Sequence, residues 1–472
     1  MSTDTDIFDA LNGETERGPV TLLILGASGD LTSRLLLPGL GSLMRLEADR
    51  DLTLIGTGRS DISDEQFRRV IDDAFTRVQC PEATTARVKR RSRYIQADPT
   101  NPDDLRELLD ATHGTVVMYF ALPPAVTMRI CHVLETMERP ENLRLALEKP
   151  FGVDRASAIA LNEQLQRVVP EDQIYRVDHI LATATVLNLV GLRFANRALQ
   201  LIWDAQQIER VEIVYDEVLA LEGRAAYYDK SGALRDMLQS HLLQVLSLFA
   251  MEPAASLDPT EIHDLQAQVL RATRVWEGDP LRAARRARYT AGYVDGHAVP
   301  AYVDEEGVDP ALGTETLAEV TLEIQNNRWA GVPFTLRSGK GLSKKRKEII
   351  CHLRPVPHLP AGFRSTCKDP DQLRIGLNPG NVTLDLSMNS ATPKVLEKKS
   401  LTTELGQPVM TAYGEVLRQI FDGNQLLAVR ADIAEESWRV FESTLAAFAN
   451  NEIPMEEYPA GSSGPWPLNH TV

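Results

Sequence analysis

Val20-Thr21-Leu22-Leu23-Ile24-Leu25-Gly26-Ala27-Ser28-Gly29-Asp30-Leu31 is the stretch on which the fold turns. Val20–Leu25 is a continuous apolar run, the pattern of a parallel strand buried on both faces. Gly26–Gly29 makes a tight turn, and a Leu-rich helical pattern interrupted by Pro38 follows. The alternation continues downstream. Apolar runs at Leu52–Ile55, Val116–Leu122 and Leu143–Leu147 read as further buried strands. Pro123-Pro124 closes the second of these and Glu148-Lys149-Pro150 the third. Helical patterns lie between the runs, as at Ser63–Val78 and Asp103–Ala111. Strand and helix in alternation predict a doubly wound α/β domain with a parallel sheet over residues 19–175.

The pattern changes after about residue 176. Arg210–Glu217, Leu317–Ile324, Phe334–Leu336 and Val382–Met388 alternate like strands with one buried face. Asn378-Pro379-Gly380-Asn381 lies between two alternating runs and reads as a hairpin turn. Helices are expected at Ala233–Met251 and Asp432–Asn450. Residues 176–472 therefore predict a larger α+β domain on a mostly antiparallel sheet. Residues 1–18 read as a mobile acidic tail, and Pro459–Val472 is loop-like in composition.

A chain of 472 residues accommodates two or three domains. Its 43% apolar and 25% charged residues are ordinary for a globular protein. Lys and Arg number 50 against 66 Asp and Glu, a net charge of −16. That field repels nucleic acid and anionic membrane, so neither is an expected partner; a small anion feels local charge instead. Cys80, Cys131, Cys351 and Cys367 show no CxxC spacing and no His cluster accompanies them. Neither a metal site nor a disulfide framework is expected, and a reducing cytoplasm is the natural compartment. Neither a long apolar run nor a basic-then-apolar N-terminus occurs, so no membrane span and no secretory signal are expected.

A strand–glycine–helix turn lets backbone approach a pyrophosphate while the helix N-terminus offers free N–H groups. Here the turn is not a clean GxGxxG, because Ser28 and Leu31 hold the second and third glycine positions. The second strand leads into Gly56-Thr57-Gly58-Arg59-Ser60. A site for NAD usually carries an acid there for the ribose 2′-hydroxyl. Arg59 instead suits the 2′-phosphate of NADP, with Arg34 adding charge, or is a solvated surface cation.

Gly26-Ala27-Ser28-Gly29-Asp30-Leu31 resembles the coenzyme fingerprint of the glucose-6-phosphate dehydrogenase family. Further segments agree in the right order: Ala121-Leu122-Pro123-Pro124, Glu148-Lys149-Pro150-Phe151-Gly152, Arg176-Val177-Asp178-His179, Leu192–Asn196, Arg235–Gln244, and Trp329–Phe334 through Arg337-Ser338-Gly339-Lys340. The resemblance runs from residue 20 to about 450. It implies a Rossmann coenzyme domain binding NADP, with Gly26, Ser28, Gly29, Asp30, Leu31, Arg34, Arg59, Ala121, Pro123 and Lys149 as its coenzyme residues. It implies oxidation of a pyranose at C1 to a lactone. His241 matches the family's general base, Asp178 the carboxylate that holds its tautomer, and Lys149 the lysine between coenzyme and substrate. Without the resemblance, His241 in its stripe of Leu234, Met237, Leu238, Leu242, Val245 and Leu248 reads as a core histidine. Glu217 and Asp236 match acids that bind sugar hydroxyls, and His179, Lys340 and Lys345 match further substrate residues. The family also implies a homodimer or homotetramer.

One segment departs from the pattern. After Arg-x-Asp-His the family reads Tyr-Leu-Gly-Lys, and this chain reads Ile180-Leu181-Ala182-Thr183. A phenol and an ammonium used on the substrate phosphate are gone, a loss of roughly 2–5 kcal/mol unless compensated. Ser240 replaces the usual Asn before the base and Leu35 a cation after Arg34. Lys340-Gly341-Leu342-Ser343-Lys344-Lys345-Arg346-Lys347 is a cation-rich run that offers compensation or a solvated face, and Thr183 has one proton to donate. Three functions remain open: a glucose-6-phosphate dehydrogenase with a modified phosphate pocket, a sugar 1-dehydrogenase whose substrate lacks or replaces the 6-phosphate, and a weak paralogue serving as a binding or assembly partner. Retention of His241, Asp178 and Lys149 argues against the last.

Overall fold

The computed structural model describes residues 18–221, 225–365 and 370–465. Apart from Gly18, the expected acidic tail lies outside them, as does the end of the loop-like C-terminus. Two compact units divide the chain. One takes the residues up to Thr183 with Ser256–His263 and Pro408–Glu435; the other takes 184–255, 264–407 and 436 onward.

In the first unit six strands form one sheet: β1 (Val20–Leu25), β2 (Leu52–Gly58), β3 (Ser92–Gln96), β4 (Thr115–Phe120), β5 (Leu143–Glu148) and β6 (Ile174–Val177). Their order is β3-β2-β1-β4-β5-β6, and every pairing is parallel. The chain winds outward from β1 in both directions, so a switch point lies at the carboxyl ends of β1 and β4. β1 is buried along its whole length, as its unbroken apolar run requires. β3 and β6 are the two edges. β3 has polar Arg93 and Gln96 exposed, so it carries no apolar run. The expected boundary at 175/176 falls inside β6.

Pro38 does not break the helix after β1. A turn with i→i+5 bonding spans Thr32–Leu36, and the α-helix Leu37–Leu46 starts with the proline in its first turn, where no N–H is needed. The expected helix at Ser63–Val78 is Asp64–Arg77, with Ser63 and Gln66 forming a capping box.

Among the described residues the second unit holds an eleven-stranded sheet. At its centre, Ile208–Asp216 pairs antiparallel with Arg346–Leu353 and parallel with Phe334–Gly339; Leu317–Ile324 follows antiparallel. Met455–Pro459, expected to begin a loop only at its last residue, runs parallel to Ala284–Thr290. The sheet is therefore mixed, with antiparallel pairs in the majority. The expected hairpin is present: Gln372–Leu377 and Gly380–Asn389 pair antiparallel, Leu377 opposite Gly380. The expected helix Ala233–Met251 is i→i+5 bonded over Leu234–Leu242 and α-helical over Leu243–Ala250. It packs on the strands Ile208–Asp216, Leu317–Ile324 and Phe334–Gly339.

Candidate active site

The first unit gathers its candidate residues at the carboxyl ends of its strands. Gly26 follows β1 with φ +91°, and a Cβ there would stand 2.4 Å from the Ala121 carbonyl after β4. Only glycine fits both the conformation and the approach. The Gly29 N–H returns to the Gly26 carbonyl at 3.0 Å, closing the turn. Beside it lies a cleft of about 610 Å³ lined by Gly26, Ser28, Arg59, Asp98, Pro123 and Arg129, among others. The Thr100 side chain and N–H hold the Asp98 carboxyl below its ordinary value, with Arg59 and Arg129 adding to the effect. The two arginines thus counter the one acid that would repel a phosphate here.

The remaining coenzyme candidates divide. Ala121 bounds the turn through its contact with Gly26, and Leu31 is partly buried at the helix start. Arg34 is exposed and paired with Asp30 at 3.2 Å, and neither lines the cleft. The extra charge expected of Arg34 is thus shared with its own neighbour, and Arg129, which the sequence did not flag, supplies the second cleft cation. Its signal was only the helical spacing from Val126, too common to single out.

Glu148 ends β5 just before Lys149. Its carboxylate accepts from the Tyr119 hydroxyl at 2.5 Å and from the Tyr413 hydroxyl. Burial pushes it up to about 7, against the pull of those hydroxyls and of Lys149; Asp178 pushes it further in the same direction. Asp178 follows β6 and is 1% exposed, with a carboxylate oxygen accepting the Ile180 N–H at 3.2 Å. The His179 ring stacks on Tyr413 at 5.6 Å between centroids. Tyr119, Glu148, Tyr413, Asp178 and His179 thus form one largely buried polar knot beside Lys149. Tyr413 lies 230 positions beyond Thr183, and nothing local in the sequence marks it.

Thr183 closes the turn that follows Asp178. Its hydroxyl donates to the Ile180 carbonyl at 2.7 Å, and Ile180 is 5% exposed. The single proton of Thr183 is directed at its own turn in this arrangement.

The second unit carries the other candidates. Glu217 follows the central strand. One carboxylate oxygen takes the Lys340 ammonium at 2.8 Å and the other the Lys347 ammonium at 3.1 Å. Burial pushes the Glu217 carboxyl up, but the two lysines outweigh it and hold it below its ordinary value. Lys340 Nζ lies 5.2 Å from the Tyr228 ring centre, and Asp236 is near enough to help raise the Tyr228 hydroxyl, mainly displaced by burial. Lys340 thus stands between Glu217 and the Tyr228 ring, with Asp236 also near Tyr228. Lys345 is exposed, and Lys347 occupies the place beside Glu217 instead.

Asp236 and His241 ride on Leu234–Leu242, whose wide i→i+5 turns are a form often found at functional sites. His241 is 5% exposed. The start of this segment is held by Glu315, which is 6% exposed and accepts the Leu234 N–H at 2.9 Å. Burial raises the Glu315 carboxyl and that N–H opposes the rise. Gly232, at φ +68°, makes room: a Cβ there would lie 2.4 Å from the Glu315 carboxylate. Glu315 had no sequence signal beyond being an acid between threonines.

Two family models match the chain one after the other. One described as glucose-6-phosphate dehydrogenase, NAD binding domain, matches residues 23–188; another, glucose-6-phosphate dehydrogenase, C-terminal domain, matches 190–472. The glucose-6-phosphate 1-dehydrogenase of Gluconobacter oxydans is 36% identical, covering 95% of this chain and 94% of its own. That of Treponema pallidum is 35% identical, covering 96% and 94%. Among solved structures, glucose-6-phosphate 1-dehydrogenase from Mycobacterium avium superposes with a TM-score of 0.84 at 32% identity, over 95% of both chains. A glucose-6-phosphate dehydrogenase in complex with its substrate glucose-6-phosphate gives a TM-score of 0.83 at 29% identity, over 94% of this chain and 95% of that one.

Proposed function

Because the chain belongs to the glucose-6-phosphate dehydrogenase family, we propose that it oxidises glucose 6-phosphate, or a close hexose analogue, at C1 to the lactone with NADP. The observation that carries the proposal is the strand-end cleft beside Gly26, with Arg59 and Arg129 lining it. Its backbone approach suits a pyrophosphate, and its arginines suit the additional phosphate of NADP. When bound, NADP supplies the acceptor for the hydride that leaves C1. His241 takes the C1 hydroxyl proton as that hydride departs, and the O–H electron pair becomes the second bond of the lactone carbonyl. Asp178 is the carboxylate that sets the tautomer of His241. Lys149 lies between coenzyme and sugar, and Glu217, Asp236, Lys340 and His179 hold the sugar phosphate.

A second possibility has its own support. With Ile180, apolar and buried, and Thr183, whose hydroxyl bonds the Ile180 carbonyl, this turn lacks the phenol and ammonium of the family pattern. A hexose without the 6-phosphate would lose less there. Reduced-nicotinamide formation from NADP with glucose 6-phosphate, free glucose and other hexoses tests both. Saturation at sub-millimolar glucose 6-phosphate supports the first; turnover of an unphosphorylated sugar alone replaces it with the second. Assembly as a homodimer or homotetramer in the cytoplasm belongs to the same proposal. Exposed Met388 and Leu401 on the strands Gly380–Asn389 and Val395–Glu404 support it, and light scattering of the purified protein tests the assembly.

A further inference from the structure

We propose that Lys347 is a positioning residue of the sugar site, holding Glu217 in place so that Lys340 is free to exchange that carboxylate for the sugar. The inference rests on Glu217 and Lys340 being substrate groups. It starts from strand register. Lys347 stands opposite Tyr215, and along Arg346–Leu353 it alternates with Ile349 and Cys351 on one face. Lys344 and Lys345, its neighbours in the cation-rich run, are exposed. Of the five cations in the run, only Lys340 and Lys347 form ion pairs with Glu217 among the described residues.

The two ammonium groups differ in freedom. The Lys340 side chain is 20% exposed and that of Lys347 9%. Lys347 Nζ also sits 3.8 Å from the Tyr215 ring centre, close enough for a cation–π contact; Lys340 is 5.2 Å from Tyr228. Each lysine takes a different oxygen of Glu217, so either can depart without displacing the other. If Lys340 were the sole partner, turning it toward a sugar would leave a half-buried carboxylate unpaired, a costly state. With Lys347 pinned on Tyr215, Glu217 stays ionised and aimed while Lys340 moves. An ionised, fixed Glu217 then accepts from sugar hydroxyls with a charge-assisted bond.

The test compares the full-length protein with Lys347→Met, which keeps the apolar stem on Tyr215, and with Lys347→Arg. Steady-state kinetics use NADP with glucose 6-phosphate and with whichever unphosphorylated hexose the enzyme accepts. Lys347→Met is expected to raise KM for each sugar by about 10-fold, the scale of one charge-assisted contact, with kcat changed by less than about 3-fold. KM for NADP stays constant, and Lys347→Arg recovers most of the loss. An unchanged sugar KM in Lys347→Met overturns the inference. So does a rise confined to the phosphorylated sugar, which would make Lys347 a phosphate ligand. Tyr215→Leu serves if Lys347→Met folds poorly: it leaves both charges but unpins one, and a sugar KM equal to that of the parent overturns the inference too. Should the parent oxidise no sugar, the proposed function fails separately. The carboxyl titration of Glu217 by carbon NMR then decides: Lys347→Met must raise it, and no rise overturns the inference.

Discussion

At the scale of single residues, what matters is which protons and charges are already committed. Thr183 spends its proton on its own turn, and Arg34 shares its charge with Asp30. Arg59 has no such partner among the described ion pairs and lines the cleft. If Arg59 holds the additional phosphate of NADP, as proposed above, replacing it with Ala should raise KM for NADP by about 10-fold or more while changing KM for NAD little. Equal effects on both coenzymes in steady-state assays would remove Arg59 from that role. His241→Asn should lower kcat by about two to four orders of magnitude, as loss of a general base does, with coenzyme affinity retained in a fluorescence titration. Near-normal turnover would take His241 out of the mechanism. Glu148 gives a pH effect of definite sign. Its carboxyl is raised on folding from 4.5 to about 7, so folding takes up a proton. The stability it contributes is complete below pH 4.5 and is lost as pH rises through 7, a decline of order 3 kcal/mol. Glu148→Gln should flatten that part of the curve in urea denaturation at stepped pH. Parallel curves for the two proteins would show that the carboxyl is not displaced.

At the scale of elements, legibility followed burial pattern. β1, β2, β4 and β5 and the helix Asp64–Arg77 were legible because a buried parallel strand must be apolar throughout and a helix announces its cap. The edge β3 was not, since an edge strand tolerates polar side chains on its exposed side, and β6 was not because its four residues are too few and the buried, paired Arg176 interrupts their apolar run. The helix bearing His241 was placed correctly from its apolar stripe, but its i→i+5 bonding was not foreseen. Nothing in Leu234–Leu242 demands that form; it is accompanied by Glu315, 74 positions downstream of His241, accepting a bond at its start. Gly232→Ala tests this coupling. It places a methyl against the Glu315 carboxylate at a positive φ, which costs at least about 1 kcal/mol. The denaturation midpoint should fall, and kcat should fall further than global unfolding accounts for. A variant with wild-type kcat and midpoint would mean that the segment adapts freely.

At the scale of the whole molecule, the order of segments in the chain and their membership of compact units part company. Pro408–Glu435 returns to the first unit. Its helix Ala412–Asp422 packs on Leu37–Leu46, with Gly39 and Gly414 admitting the close approach. Arg176, fully buried, bonds Asn162, Glu171 and the Val429 carbonyl, tying the returning segment to β6. A fragment ending at Thr183 should therefore lack a cooperative unfolding transition by circular dichroism, and covalently appending residues 408–435 should restore one. A cooperative transition in the shorter fragment would show that the return is dispensable.

The sequence by itself determined the strand–glycine–helix start, the sheet classes of the two halves and the identities of His241, Asp178, Lys149 and Glu217 as candidates. The first two are written in local periodicity; the four candidates come from short ordered motifs through their resemblance to the family, without which His241 reads as a core histidine. Only the tertiary structure decided that Tyr413 enters the knot around Glu148, that Glu315 holds the helix of His241, and that Lys347 rather than Lys345 meets Glu217. Those depend on contacts between segments far apart in the chain, or on where a strand begins and hence which face each residue takes. A shift of one residue in that start turns every side chain to the opposite face.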